Sequence, residues 1–436
     1  MERLWTKSFI SMTLAMLVLF TGFYLLLPTL PLFIKNMGGT ETQVGLAAGA
    51  FTLTAVVFRP IVGGLLDRYG RRPFMIWGLL LFILAMCLYN WVSVIAMLLV
   101  LRVLHGVGWA FSTTAVSTSI TDIIPAPRRG EGMGWFGMAM TVAMAIGPTL
   151  GLWVLADGKY HSLFWLATML SVGAFLLVLT TRIPEPQKSA SRKIVLFEKS
   201  VLPLTVALFF LSVAYGGITT FLPLYGASIQ VNSGTFFLVY ALALTLARPI
   251  AGKLSDRLGE AYVIIPGLGV TVLSLVVLGF SENLFGVIAA AALYGIGFGS
   301  AQPALQAANL RLAPPDKRGV ASASFMTAFD LGIGLGSIIL GWVSQYTGYE
   351  VLFFVCAGSV FVSAMIFLTF VMRRLAEKRL AAADAAPPGA GRVNKNKARP
   401  DNMSGPRQRG RRRKQIVTVC GGTPYGSSPH TRVPLR

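Results

Sequence analysis

The stretch Phe58–Gly70, FRPIVGGLLDRYG, returns 189 positions later as Ala247–Gly259, ARPIAGKLSDRLG. The same offset relates two further pairs of segments: HGVGW at His105 with YGIGF at Tyr294, and PAPRRG at Pro125 with PPDKRG at Pro314. One offset held across about 70 residues indicates an internal duplication. The chain is therefore predicted to consist of two homologous halves, and each half must bury its apolar residues in the same way.

The composition shows where those apolar residues lie. Hydrophobic residues make up 54% of the 436 positions and charged residues only 13%, whereas soluble domains carry about 25% charged residues. A soluble globular protein is therefore excluded. Stretches long enough to cross a bilayer, which takes roughly 20 apolar residues, are predicted at 8–34, 44–66, 73–90, 94–120, 132–155 and 163–181, then at 201–227, 232–254, 262–280, 284–310, 319–345 and 349–372.

We therefore predict an all-α membrane protein with twelve transmembrane helices in two pseudo-symmetric six-helix halves. Its segments are an N-terminal half (1–181), a linker (182–200), a C-terminal half (201–372) and a basic tail (373–436). Lys and Arg concentrate in both ends, the linker and the loops after even-numbered spans. By the positive-inside preference, both termini are expected to be cytoplasmic in an inner or plasma membrane. Parallel six-span halves of this kind build alternating-access transporters.

Several short motifs carry a resemblance to a known family. Gly63–Arg72 fits GxLaDrxGrr, the second loop signature of the major facilitator superfamily, and Gly252–Gly259 repeats it. Arg102, with Gly106 and Gly108, fits its fourth-helix signature RxxxGxG. Gly22, Pro28 and Pro31 match a first-helix signature of twelve-helix drug/proton antiporters. Gly147, Pro148 and Gly151 resemble the antiporter motif of helix five, although Ala143 and Leu152 replace two of its glycines. The chain thus resembles twelve-helix drug/proton antiporters of that superfamily.

The loop signature has two interpretations. It is either a topology anchor, since its arginines favour the cytoplasmic side, or a gate between the halves, as the resemblance implies. The predicted gating residues are Gly63, Asp67, Arg68, Gly70, Arg71, Arg72, Gly252, Asp256 and Arg257.

Three ionisable residues within predicted spans are candidates for proton coupling. Asp330 stands 12 residues past Arg318, roughly 18 Å into its helix. An ionised carboxylate at that depth is costly, so it is expected to take up a proton or find a cation. Arg102 is expected to tune Asp330, or else to tie helix ends together. His105 follows one turn later, as a proton carrier or as an ordinary core histidine.

Polar and aromatic residues are predicted to line a substrate cavity between the halves. Gln302, Gln306 and Asn309 form a stripe along helix ten, and polar stripes within lipid face the bundle interior. Tyr24, Trp109 and Tyr240 are the aromatic candidates. The helix-five motif is expected to bend that helix and bring a neighbour close, because Pro148 removes a hydrogen bond and the glycines lack side chains.

The predicted function is proton-coupled export (antiport) of a small amphiphilic or cationic compound, driven by the proton gradient without a cofactor. The alternatives are uptake symport of a sugar or organic acid, export of a self-made metabolite such as a metallophore, and a membrane sensor. We find no nucleophile–base pair or metal-ligand spacing, which argues against an enzyme or a metal site.

The net charge of +21 resides mostly in the tail, where 16 Lys and Arg from residue 373 onward outnumber 3 Asp and Glu. Anionic lipid is its expected partner. The tail lacks the interleaved aromatic residues typical of RNA binding, so no nucleic-acid partner is expected. The protein is predicted to act as a monomer.

Overall fold

Twelve long helices make up most of the described chain. The computed structural model describes residues 4–125, 128–155, 158–181, 199–314, 317–375 and 377. The helices are α1 (Lys7–Asn36), α2 (Glu41–Tyr69), α3 (Arg71–Leu88), α4 (Ile95–Ile123), α5 (Arg129–Leu155), α6 (Tyr160–Leu179), α7 (Leu202–Ser228), α8 (Ser233–Leu258), α9 (Ala261–Gly279), α10 (Leu284–Leu312), α11 (Arg318–Thr347) and α12 (Tyr349–Ile366). All twelve include stretches long and apolar enough to cross a bilayer. The predicted all-α membrane fold is confirmed, whereas most of the linker and the tail lie outside the described residues.

Local signals in the sequence fix the helix ends. Thr40 and Gln43 form a reciprocal capping box at the start of α2, where each side chain accepts a hydrogen bond from the other's backbone N–H at 3.3 and 3.0 Å. Gly70 separates α2 from α3 with a φ of +88°, and Gly259 separates α8 from α9 with a φ of +109°. Such dihedrals favour glycine, so the repeated glycine explains why both halves turn at the same point.

The packing of the helices repeats as the sequence does. In the first half α1 packs on α5 and α6, and α4 packs on α2 and α3. In the second half α7 packs on α11 and α12, and α10 packs on α8 and α9. Adding six to each helix number converts one set into the other. The halves meet through α1 with α7, and through two symmetry-related pairs, α2 with α11 and α5 with α8.

The two ends of the bundle differ. We call the end with the loops after even-numbered helices the termini side, and the opposite end the far side. On the far side α2 packs against α11 without space for a side chain, since a methyl group at Gly45 would collide with the Ser337 carbonyl. The Tyr349 hydroxyl also donates a hydrogen bond to Glu41 Oε1 at 3.1 Å there. The halves are therefore closed together at the far side.

The termini side is open. A methyl group added at Gly63 of α2 or at Gly252 of α8 would meet nothing within 4 Å. Both glycines lie in the last two turns of their helices, beyond the deepest contacts between the halves. The halves are therefore in close contact at the far side, whereas these two equivalent glycines near the termini side have no neighbour from the other half.

Candidate functional site

An ion pair joins the two halves at about mid-depth. Arg59 Nη1 of α2 contacts Asp330 Oδ2 of α11, and the side chains are 23% and 15% exposed. Arg59 lies 10 residues from the termini-side end of α2, and Asp330 lies 12 residues from that end of α11, which is roughly 15–18 Å into the bundle. Asp330 therefore has the cation that a carboxylate at this depth requires, and that cation comes from the other half.

A second arginine occupies the equivalent place in the second half. Arg248 of α8 lies 189 positions after Arg59, and Thr141 of α5 lies 189 positions before Asp330. Arg248 Nη1 donates a hydrogen bond to Thr141 Oγ1. The Arg248 Nε is buried without a hydrogen-bond partner. The same contact between the halves is thus an ion pair on one side of the pseudo-twofold axis and a hydrogen bond from a cation to a neutral hydroxyl on the other.

Aromatic residues line a small recess between the halves. It is lined by Tyr24, Leu27, Met144, Pro148, Tyr215, Thr219, Phe237 and Tyr240, which come from both halves. The Tyr240 hydroxyl points at Met144 Sδ, 4.0 Å away across the halves. Tyr24 and Tyr240 therefore line a recess between the halves, and their role in binding substrate stays a prediction. Tyr215 lines the same recess and was not predicted from the sequence.

Arg102 does not contact Asp330, contrary to the prediction that it tunes that carboxyl. Its Nε donates to the Ala47 carbonyl at 2.9 Å, and its guanidinium lies 4.3 Å from the centre of the Phe51 ring. Ala47 and Arg59 are 12 residues apart on α2, which places Arg102 roughly 18 Å farther toward the far side. Arg102 is satisfied locally by a backbone carbonyl and an aromatic face, so it ties α4 to α2.

His105 is part of the core of the first half. It is fully buried, and its Nδ1 lies 3.0 Å from the Tyr89 hydroxyl and 3.4 Å from Arg102 Nη1. Because a guanidinium only donates hydrogen bonds, Nδ1 must act as an acceptor toward it. The rings of Phe51 and Phe82 enclose the imidazole at 4.8 and 4.7 Å. This environment fits the core-histidine interpretation rather than a proton carrier.

Two predicted cavity residues are structural instead. Trp109 is 5% exposed and stacks on Phe23 with ring centres 4.3 Å apart, inside the aromatic core of the first half. Asn309 is fully buried, and its Nδ2 donates to the Ala321 carbonyl of α11 at 2.9 Å. Gln302 and Gln306 are half-buried on α10. The sequence pattern located these residues inside the bundle but could not separate a cavity wall from a contact between helices.

The helix-five motif brings α5 against α1. A methyl group at Gly147 would lie 2.5 Å from Tyr24 Cβ, and one at Gly151 would collide with the Leu25 carbonyl. Pro148 lines the recess between them. The motif therefore positions Tyr24, a lining residue, by removing two side chains from the interface.

Comparison with known proteins identifies the family. Residues 12–237 and 230–419 match the profile of the Major Facilitator Superfamily. The chain belongs to this superfamily. It is a membrane transporter and not an enzyme.

Relatives and solved structures agree with that assignment. A staphylopine export protein of Staphylococcus aureus is 26% identical over 81% of this chain and 94% of its own. A multidrug resistance protein MdtG of Enterobacter lignolyticus is 28% identical over 83% and 91%, and a class H tetracycline resistance protein of Pasteurella multocida is 24% identical over 78% and 90%. The fold matches nucleoside transporter NupG (D323A mutant) with a TM-score of 0.65 and 15% identity, covering 83% of this chain and 98% of that one.

The superfamily loop signature forms contacts within each half in this conformation. Arg71 Nε of α3 lies 2.6 Å from Asp122 Oδ2 of α4. In the second half Glu260, which precedes α9, lies 2.9 Å from Arg311 Nε of α10. These pairs are related by the offset of 189 with the charges exchanged, so Glu260, which stands where the first copy has Arg71, also has a partner of opposite charge. Each pair ties two helices of the same half.

The other predicted gating residues face outward on the open side. Arg68 packs on the Tyr69 ring at 5.2 Å, and Arg72, Asp256 and Arg257 are exposed. The side chain of Asp67 lies outside the described residues. A contact of these residues across the halves would require the termini side to close, so their gating role stays a prediction.

Sequence reasoning missed Arg59, Arg248 and Thr141. The signal for the arginines was present, because Arg-Pro-Ile occurs within an apolar span in both copies of the duplicated stretch. A guanidinium retained at the same intramembrane position in both halves requires a partner or a cavity. Thr141 carries no such signal and becomes noteworthy only as the counterpart of Asp330.

Proposed function

We propose that this transporter exports small amphiphilic compounds in exchange for protons, by alternating access, with Asp330 as the proton site and Arg59 as its partner. The observation that carries the proposal is the ion pair between these residues. It joins the two halves at mid-depth, where its charge state affects both proton binding and the contact between α2 and α11.

The orientation predicted from loop charge makes the termini side cytoplasmic, so the structure is open to the cytoplasm. An ionised Asp330 stabilises this conformation, because it holds Arg59 across the interface. A protonated Asp330 no longer attracts Arg59, so protonation favours separation of α2 from α11. The proton acts here as a ligand that shifts the population toward the conformation that binds it better.

A transport cycle follows from these preferences. The cytoplasm-open form with ionised Asp330 accepts the exported compound into the recess. After the halves rock, the compound leaves at the far side and Asp330 takes a proton from that side. Return to the present conformation restores the contact with Arg59 and releases the proton to the cytoplasm. Proton and cargo thus occupy the protein in alternation.

The export direction is supported by relatives. Proteins named for staphylopine export, multidrug resistance and tetracycline resistance are each similar over more than three quarters of the chain. Arg102 and His105 are left out of the proton path, because both are engaged in the core of the first half. The monomeric state and binding of anionic lipid by the tail stay predictions.

Substrate-driven proton movement in inside-out vesicles tests the proposal. The vesicles are acidified by respiration and given tetracycline, norfloxacin or ethidium in turn, with a quenched pH dye as the readout. For at least one compound the wild type is expected to release protons, Asp330→Asn to release none, and Glu282→Gln to behave as wild type, since Glu282 lies exposed in a loop.

Coupled flux that persists in Asp330→Asn contradicts the assignment of the proton site. Protons that move in the same direction as the compound indicate uptake symport instead. Failure of every compound to move protons in the wild type contradicts export of this class of amphiphile.

A further inference from the structure

We propose that Arg248 binds an anionic group, such as a carboxylate, on the transported compound. The inference rests on the proposed function only in taking the ligand to be the cargo. It narrows the cargo from amphiphiles in general to those with a negative group beside an apolar body.

The charge around Arg248 is uncompensated within the described structure. Its one hydrogen-bond acceptor is the neutral Thr141 hydroxyl. Its Nε is buried without a hydrogen-bond partner, as is the Nε of Arg59, so the two arginines differ in the group that their Nη1 meets. Arg248 is half-buried, and a partly desolvated cation that lacks a counter-charge is costly. The equivalent cation Arg59 avoids that cost through Asp330, so the second half lacks one carboxylate relative to the first.

The described helices that pack on α8 offer no acid to replace it. The sequences of α7, α9 and α10 contain neither Asp nor Glu. On α5 the acid is Glu131, which pairs with Arg128 at 2.8 Å near the termini side. On α8 itself Asp256 lies eight residues away, roughly 12 Å along the axis. Glu260, just beyond α8, pairs with Arg311.

The surroundings of Arg248 suit the rest of an amphiphile. Tyr240 precedes Arg248 by about two turns on α8, and with Tyr24 it lines the recess between the halves. Met144 follows Thr141 by one turn on α5 and lines the same recess. Aromatic rings and a thioether provide an adaptable apolar wall, so a ligand can place its anionic group on Arg248 and its apolar body against these residues.

Such a ligand also explains how cargo couples to the halves. Its carboxylate can accept a hydrogen bond from Arg248 of α8, and one from the Thr141 hydroxyl of α5 when that hydroxyl turns away from the Gly137 carbonyl, to which it now donates at 3.1 Å. These residues belong to opposite halves, as Arg59 and Asp330 do. The bound cargo would therefore complete the second of two symmetry-related contacts.

Equilibrium binding to the purified full-length protein tests the inference directly. The probes are two isosteric pairs, indole-3-acetate with indole-3-acetamide and 4-phenylbutyrate with 4-phenylbutyramide, measured by equilibrium dialysis of labelled compounds. A charge-assisted hydrogen bond predicts that the wild type binds at least one acid about tenfold more tightly than its amide. Arg248→Gln is expected to abolish that preference, and Lys253→Gln, an exposed cation on the same helix, to keep it.

A second variant guards against misfolding of Arg248→Gln. Thr141→Asp places a carboxylate next to Arg248, so it should abolish the preference for the acid and raise Tm by about 2 °C or more. Thr141→Asn has the same size without the charge and should retain at least part of the preference without the rise in Tm.

The results separate this inference from the proposed function. Binding is measured without a gradient, so a preference for the acid together with absent proton flux contradicts only the proposed antiport. Equal affinity of the wild type for acid and amide in both pairs, undetectable binding included, overturns the inference. A preference that survives both Arg248→Gln and Thr141→Asp also overturns it.

Discussion

The two halves present the same arginine at the same depth to different partners. Arg59 in the first half meets the carboxylate of Asp330, whereas Arg248 in the second half meets the hydroxyl of Thr141. The backbone framework of both contacts is the same, since the offset of 189 relates all four residues. Duplication therefore preserved the positions of these residues. The residue opposite the arginine decides the charge of the contact: Asp330 neutralises Arg59, whereas Thr141 leaves Arg248 charged.

The ion pairs near the termini side teach a complementary lesson. Arg71 with Asp122 and Glu260 with Arg311 hold equivalent helices together with exchanged charges. Each pair still joins an acid to a base, although the acid and the base have exchanged places between the two halves. Within each half the sign of each charge is interchangeable, whereas between the halves the second contact has a hydroxyl where the first has an acid.

The largest expected effect concerns the buried pair itself. Asp330→Asn leaves Arg59 without a counter-charge and is expected to lower the free energy of unfolding by about 3 kcal/mol or more. Arg59→Gln should cost less, because a lone carboxyl can become protonated whereas a guanidinium stays charged. The double variant Arg59→Gln/Asp330→Asn should recover most of the loss, as measured by denaturation of the purified protein.

Arg248→Gln is the matched variant in the other half. It removes a cation without an acid partner, so it should leave stability unchanged or increase it. A loss as large as that of Asp330→Asn would contradict the difference between the two contacts.

A smaller effect is expected where α2 meets α11 on the far side. Gly45→Ala would collide with Ser337 and Gly341, and overpacking of this kind costs about 1–3 kcal/mol. Only the conformation that is closed at the far side bears that cost. The substitution should therefore increase the fraction of molecules in the other conformation, which is closed at the termini side. Spin labels at Tyr69 and Leu258 should then show shorter distances by pulsed electron resonance.

Gly269→Ala provides the control for that shift. A methyl group there meets nothing within 4 Å, so the distance distribution should match the unsubstituted protein. An unchanged distribution in Gly45→Ala would mean that the far-side contact does not control the conformation.

The repeated turn should respond equally in both halves. Gly70 and Gly259 have φ values of +88° and +109° with ψ values of 167° and 157°, so alanine at either position is expected to cost about 1–3 kcal/mol through backbone strain. The two losses should agree within error when Tm is measured. Gly358→Ala, in open space on α12, should cause no loss, and a large difference between the two turns would show that their surroundings matter more than the dihedral.

The smallest effect is expected for the exchanged ion pairs. Arg71→Glu places a second carboxylate beside that of Asp122. It should lower the free energy of unfolding by up to about 1 kcal/mol, since Asp122 is a third exposed. Adding Asp122→Arg copies the arrangement of the second half and should restore stability. A double-mutant cycle by thermal unfolding measures the coupling, and failure of the double variant to recover would contradict the equivalence of the two pairs.

Much of the fold was predictable because a bilayer leaves few options for an apolar chain. All twelve predicted spans overlap observed helices, since backbone groups within lipid must be satisfied inside a helix. Asp330 was also predictable as an acid that needs a partner. The identity of that partner was not, because the choice between Arg59 and Arg102 depends on which helices face each other across the halves.

The sequence by itself determined the number of spans, the duplication and the presence of ionisable groups at depth. These follow from hydrophobicity, backbone geometry and one-dimensional spacing. Only the tertiary structure decided that Arg102 and His105 belong to the core and that Arg59 and Arg248 belong to the interface between the halves. The physical reason is that a charge within a membrane is satisfied by whatever the neighbouring helix presents, and neighbours are set by packing rather than by position in the chain.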